Sequence, residues 1–299
     1  MIPSFLRAGD NIHIVSPSGA IQPGFIDGAT KLLSSWGLKV TEGKYARTEY
    51  GRFSGTKDER VADLQQALDD PNVKAILCSR GGYGLAQIID KIDFTSFAKS
   101  PKWLIGFSDI TILHNAITAL GIASMHGIMT KYLTELPEES DQITSFKNLL
   151  FGTPSNFSIK PEAENRPGRA VGKVIGGNLS VMMGMRSTPF DLDFHNNILF
   201  IEDVGEKPYQ IDRMMQSLKL SGVLKQISGL VVGQFSEYDD DPLMMQSVAE
   251  IILAAVSEYD YPVCFNFPAG HVDYNLSFVL GEQAELFVET DKVHLNYKF

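Results

Sequence analysis

The first 150 residues alternate short apolar runs with longer stretches of helical pattern, and this alternation constrains the fold more than any other feature. The runs are NIHIVS from Asn11, LKV from Leu38, KAILCS from Lys74, KWLIGF from Lys102 and GIASMH from Gly121. Each is too short and too continuously apolar to be a half-exposed hairpin strand. Strands of this kind are buried on both faces, and intervening helices are what cover them. The stretch TKDERVADLQQALDD carries a helix signature of its own: Thr56 with Glu59 three residues on forms a capping box, and Pro71 ends the pattern. The prediction is an α/β domain with a parallel sheet. Its functional loops then lie at the carboxyl ends of the strands.

Near Phe151 the composition shifts. FGTPSNFSIKPEAENRPGRA is rich in Pro, Asn and Gly, and it reads as a linker over 151–170 between a first domain at 1–150 and a second at 171–299. The second half is less regular. AVGKVIGGNLSVMMGM is followed by a strand at NILFIE, a helix at YQIDRMMQSLKLSG, a strand at GLVVGQF, a helix around MMQSVAEIILAAVSEY, and closing strands in SFVLGEQAELFVET and KVHLNY. That pattern predicts a smaller mixed β/α domain.

With 26 Lys+Arg against 36 Asp+Glu the net charge is −10, which argues against a nucleic-acid partner. A small anionic substrate needs only one or two local cations. No run approaches membrane-spanning length, and the start of the chain reads without a signal peptide. Cys78 and Cys264 each end an apolar run, so they read as core thiols in a reducing cytoplasm rather than as a disulfide or a zinc site.

Three glycine-rich pieces stand at strand ends: SRGGYG, GFSD and IGGNLS. None matches a dinucleotide or Walker A fingerprint. The paired glycines of RGGYG allow backbone amides to face an anion, or simply make a tight turn. Ser108, between KWLIGF and the helical TILHNAI, stands where a nucleophile elbow lifts a hydroxyl out of a sheet. Ser108 or Asp109 could equally cap the following helix. A serine nucleophile needs a base. His13 and His294 fall inside strand patterns, His195 in a polar loop, and His114 two turns along the helix, facing away from Ser108. That leaves His126 in MHGIM and His271 in FPAGH, both beside glycine. Glu202 and Asp203 end the apolar run NILFIED, where a carboxylate must leave the core or find a partner.

Taken in order, RGGYG, GFSD, HG, GGNLS, LFIEDVGEKPYQIDRM and FPAGH resemble the murein LD-carboxypeptidase family of serine peptidases, which includes the microcin-immunity peptidases. The resemblance runs from VSPSG to the closing strands. It implies a flavodoxin-like or amidotransferase-like N-terminal α/β domain and a C-terminal swivelling β/β/α domain. It also implies a Ser-Glu-His triad of Ser108, Glu202 and His271, with the backbone amide of Asp109 and one from Gly81 or Gly82 as the oxyanion hole. One departure is HGIMT, where relatives often have HGP, beside His126.

The function so implied is hydrolysis of the L,D-amide bond that releases terminal D-alanine from muropeptide tetrapeptides in peptidoglycan recycling, with no metal or organic cofactor. The enzyme would be a cytoplasmic homodimer. A carboxypeptidase must recognise a free carboxylate, and Arg80 in SRGGYG is the candidate clamp, with Tyr83 as a wall. His126, Gly177 and Asn178 complete the substrate-binding candidates. Two alternatives stand beside this reading: a microcin-immunity-type hydrolase of peptidyl or aminoacyl nucleotide analogues, and a non-catalytic two-domain binding module. The short segment between GGNLS and LFIEDVGE, which lacks Trp, favours the muropeptide over the nucleotide analogue.

Overall fold

The computed structural model describes residues 1–153 and 156–297. The chain forms two compact units, Met1–Thr153 with Leu276–Leu280, and Pro154–Asn275 with Gly281–Phe299. Within the stretch read as a linker, Pro154 and Ser155 lie outside the described residues. Phe157–Ile159 and the start of Gly168–Asn178 are strands of the second unit.

In the first unit, β1 (Asn11–Val15), β2 (Lys39–Glu42), β3 (Val73–Cys78), β4 (Trp103–Gly106) and β5 (Ser124–His126) form a parallel sheet in the order β5-β4-β3-β1-β2. Ile12, Ile14, Ala75, Ile76, Leu77, Leu104 and Ile105 are fully buried, as expected for strands packed on both faces. The helix Lys57–Asp69 opens on the expected capping box, with Thr56 Oγ1 accepting the Glu59 amide and Glu59 Oε2 accepting the Thr56 amide. Its carboxyl end is closed from the sheet. The buried Lys102 ammonium donates to the carbonyls of Ala67, Leu68 and Asp70 at 3.1, 2.9 and 2.6 Å.

The second unit holds a seven-stranded mixed sheet. Its strands are β6 (Phe157–Ile159), β7 (Gly168–Asn178), β8 (Ile198–Val204), β9 (Gly229–Ser236), β10 (Val263–Cys264), β12 (Gln283–Val288) and β13 (Val293–Tyr297), in the order β10-β9-β8-β7-β12-β13-β6. β7 divides its pairing. Gly168–Lys173 runs antiparallel to β12, and Val174–Asn178 runs parallel to β8.

The segment SFVLGEQAELFVET differs from its reading as a closing piece of the second domain. Phe278–Leu280, here β11, pairs antiparallel with β5 and completes the edge of the first sheet, and only Gln283–Val288 belongs to the second. A single antiparallel edge strand on a parallel sheet covers a row of backbone groups that would otherwise lie open.

Candidate active site

β4 ends at Gly106, Phe107 continues extended, and the chain then turns sharply at Ser108, whose φ is +67°. A non-glycine residue in this left-handed region costs on the order of 1–3 kcal/mol and persists only where its surroundings enforce it. A short 3-10 turn, Ser108–Ile110, leads into the helix Thr111–Ala119. No side-chain bond caps either element, so the capping reading of Ser108 and Asp109 is set aside.

The turn is braced from below. His114 Nε2 donates to the Gly106 carbonyl at 2.9 Å, and its Nδ1 accepts from Ser124 Oγ at 2.8 Å. Burial holds the His114 ring neutral by pushing its pKa down to about 4. The expectation that His114 faces away from the elbow therefore needs correction: the ring returns to the end of β4 and fixes it.

Asp109 turns inward. Its Oδ2 accepts from Ser18 Oγ at 2.6 Å and from the Leu85 amide at 2.9 Å. Burial raises the pKa of this carboxyl, opposed by those bonds, by nearby Arg60 and by the Gly84 amide. Arg60 is itself buried and donates to the carbonyls of Pro17 and Gly84, each at 2.9 Å. One carboxylate thus ties the loop after β1 and the RGGYG loop after β3 to the turn that carries Ser108. Gly81 lies so close that a Cβ there would stand 2.7 Å from Ser108 Cβ and 2.9 Å from its Oγ. Gly82 has φ +95°, which favours glycine. Arg80 is exposed and donates from Nη1 to the Ala20 carbonyl at 2.8 Å. Tyr83 is 46% exposed and packs against Phe53.

In the second unit Glu202, near the end of β8, is completely buried, and its Oε2 accepts from His271 Nδ1 at 2.7 Å. The register between β8 and β9 shifts between Ile201 and Asp203. At this irregularity β9 takes hold of the loop that carries His271. Phe267 N donates to Val232 O at 3.0 Å, Gln234 N to Ala269 O at 2.9 Å, and Ser236 Oγ to His271 O at 2.8 Å. A bulge of this kind re-aims the side chains next to it. Gly270, at φ +138°, permits the close pass, since a Cβ there would sit 3.1 Å from Glu202 Oε2. Burial pulls the His271 pKa down. The hydrogen bond it donates to Glu202 and the charges of Glu202, Asp203 and Glu237 outweigh it, and the net shift is upward. With Nδ1 donating to the carboxylate, Nε2 is left as the proton acceptor.

Asp203 is also buried, and it organises GGNLS. Its carboxylate accepts from Asn178 Nδ2, the Val204 amide, and both the amide and hydroxyl of Ser180, at 2.8–3.2 Å. Burial raises its pKa to about 6.

The substrate-binding candidates fare unevenly. Asn178 is only 3% exposed; it caps the helix Leu179–Gly184 through the Val181 amide and bonds Asp203, so it shapes the loop rather than facing solvent. Gly177 is buried within β7 opposite Ile201. His126 ends β5 as expected and is fully buried, with its ring 5.6 Å from that of Phe107 and 4.8 Å from that of Phe278. The roles of Asp109 and His114 as braces escaped the sequence reading. Their residue types fitted caps and ordinary helix positions equally well. Among the described residues no cluster of three or more His, Cys, Asp or Glu is arranged to hold a metal ion.

The family model for the LD-carboxypeptidase N-terminal domain matches residues 12–127, and that for the LD-carboxypeptidase C-terminal domain matches residues 171–286. The chain belongs to the LD-carboxypeptidase family. It is therefore a serine-type peptidase by class, with the two-domain α/β fold of that family. A probable murein peptide carboxypeptidase of Bacillus subtilis is 34% identical over 293 residues, 95% of this chain and 91% of the relative. The crystal structure of muramoyltetrapeptide carboxypeptidase from Oxalobacter formigenes superposes with a TM-score of 0.89 at 28% identity, over 97% of this chain and 99% of that one. The microcin C7 self immunity protein shares the fold at a TM-score of 0.87 and 21% identity, over 100% of this chain and 99% of its own. No helix among the described residues is long and apolar enough to cross a membrane.

Proposed function

We propose that this family member hydrolyses the amide bond before the terminal D-alanine of a muropeptide tetrapeptide, with Ser108 as nucleophile, His271 as base and Glu202 as its orienting partner. The observation that carries the reading is the 2.7 Å bond from His271 Nδ1 to a carboxylate with no solvent exposure. It fixes the tautomer in which Nε2 is the ring's proton-accepting nitrogen. The left-handed turn at Ser108 is the matching feature of the first unit.

In this mechanism Nε2 of His271 takes the hydroxyl proton as Ser108 Oγ bonds to the carbonyl carbon. The oxygen, now negative, is met by the amides of Asp109 and of Gly81 or Gly82; one such donor typically contributes about 2.7–4 kcal/mol. Glu202 stabilises the imidazolium. That imidazolium passes its proton to the D-alanine nitrogen as the C–N bond breaks. Water then attacks the acyl-enzyme, again giving its proton to His271, and Ser108 regains its own. No step needs a metal or organic cofactor.

The muropeptide as substrate is supported by the names of the Bacillus and Oxalobacter relatives. Family membership sets aside the non-catalytic binding module. The proposal also carries a cytoplasmic location and a homodimer. The former is supported by Cys78 and Cys264, which are both buried and free. Replacing Ser108 by Ala in the full chain tests the chemistry. D-alanine release from tetrapeptide is expected to fall to background with the melting temperature preserved, and a folded variant that turns over at the parent rate overturns the proposal. Side-by-side assays on the tetrapeptide and a peptidyl nucleotide separate the two substrate readings.

A further inference from the structure

At the carboxyl ends of β1 and β3 the first unit contains a cavity of about 390 Å³, lined among others by Ala20, Ile21, Gln22, Glu49, Arg52 and Arg80. This lies within the size range of small-ligand sites. Its walls are joined to the Ser108 elbow by a short chain of contacts. Gly81 packs against Ser108, the Gly81 carbonyl accepts the Gly19 amide at 3.0 Å, and the Ala20 amide donates to the Arg52 carbonyl at 3.0 Å. Arg80 Nη1 closes the ring on the Ala20 carbonyl at 2.8 Å.

The charge is arranged unusually for so acidic a chain. Arg52 and Arg80 both line the cavity, against the single carboxylate of Glu49. Neither guanidinium forms an ion pair among the described residues, whereas nearby Arg47 is paired with both Asp27 and Glu42. Arg80 spends one N–H on a backbone carbonyl, and the rest of its planar fork is uncommitted. Two guanidiniums without an ion-pair partner on the wall of one cavity match a carboxylate, which an arginine fork binds in bidentate fashion.

We propose that this cavity is the subsite for the free α-carboxylate of the C-terminal D-residue that the enzyme releases, held by Arg52 and Arg80 together. The proposal rests on the reading of Ser108 as nucleophile and extends it by naming what makes the enzyme an exopeptidase. Arg80 is fixed by its bond to Ala20 and sets the direction of approach. Arg52 supplies the second cation from the opposite loop.

The test measures kcat and KM for the parent, Arg52→Ala, Arg80→Ala and the double variant. The substrates are a muropeptide tetrapeptide with a free C-terminal carboxylate and its C-terminal carboxamide analogue. Each single variant is expected to raise KM for the carboxylate at least tenfold with kcat within about threefold, and the double variant more. The parent should prefer carboxylate over carboxamide, and the double variant should lose that preference. Unchanged KM in both single variants, or a preference that survives in the double variant, overturns the subsite. Ser108→Ala, run in parallel, isolates the underlying reading. Loss of turnover there with unchanged KM in the arginine variants rejects the subsite alone, and retained turnover there rejects the nucleophile.

Discussion

Gly81→Ala probes the elbow with a single methyl group. The added Cβ would lie 2.7 Å from Ser108 Cβ and 3.1 Å from the Phe107 carbonyl oxygen, where ordinary contact begins at 3.4 Å. Neither neighbour can swing aside. One is the first carbon of a side chain on a left-handed residue, and the other is backbone. Ser108 must therefore retreat by about 0.7 Å, or the RGGYG loop must lift by as much. A misplacement near 1 Å costs on the order of 10²-fold in rate, and overpacking of this kind costs about 1–3 kcal/mol in stability. The expected result is a fall in kcat/KM of about 10²-fold, with a melting temperature lowered by roughly 2–4 °C per kcal/mol. Gly184→Ala is the control, since its helical position has no atom within 4 Å of the added carbon. The assay is D-alanine release at matched concentrations of folded protein. Parent-like kcat/KM in Gly81→Ala would refute the claim that this loop and Ser108 share one tightly fitted space.

Other outcomes concern the buried carboxylates. Glu202→Gln removes the carboxylate partner and the charge that do most to raise the His271 pKa, leaving only the smaller effects of Asp203 and Glu237 against burial; the acid limb of the kcat/KM profile should move to lower pH while kcat drops on the order of 10⁴-fold, and an unmoved limb contradicts the pairing. Asp203 has a folded pKa of about 6 against an ordinary 3.8, so its contribution to stability is full below the lower value and is lost as pH rises through the higher. Denaturant midpoints measured from pH 4 to 7 should therefore fall less steeply in Asp203→Asn than in the parent, and equal slopes would rule this out. Asp109→Ala leaves the Ser18 hydroxyl and the Leu85 amide without their acceptor. Each should cost about 1–3 kcal/mol, read as a lowered melting temperature, and a change within about 0.5 kcal/mol overall would show that the brace is dispensable.

How much of this was legible beforehand depended on whether a signal was local. The strands β1 to β5 announce themselves as continuous apolar runs, and the Thr56–Glu59 capping box is a four-residue pattern. β11 was not legible as part of the first sheet. Phe278–Leu280 carries the same period and composition whichever sheet it joins, and only long-range pairing with β5 decides. Ser108 was visible as a hydroxyl between a strand and a helix, but its φ was not. That the His126 ring packs against Phe107 and Phe278 was not legible, since Phe278 is brought there only by long-range pairing. The buried side-chain bonds of Asn178 and Asp109 were not legible either. Their partners, Asp203 for Asn178 and Ser18 and the Leu85 amide for Asp109, are distant in sequence. Arg52 carried no signal at all, since its significance lies in sharing a cavity with Arg80.

The most direct test of the central claim is covalent. The full-length enzyme would be incubated with a serine-directed phosphonate and its modified peptide located by mass spectrometry. The account predicts one adduct, on Ser108, formed in step with loss of D-alanine release and much more slowly in His271→Ala. Inactivation with the adduct on a different serine, or an undiminished labelling rate at Ser108 without the imidazole, would contradict it.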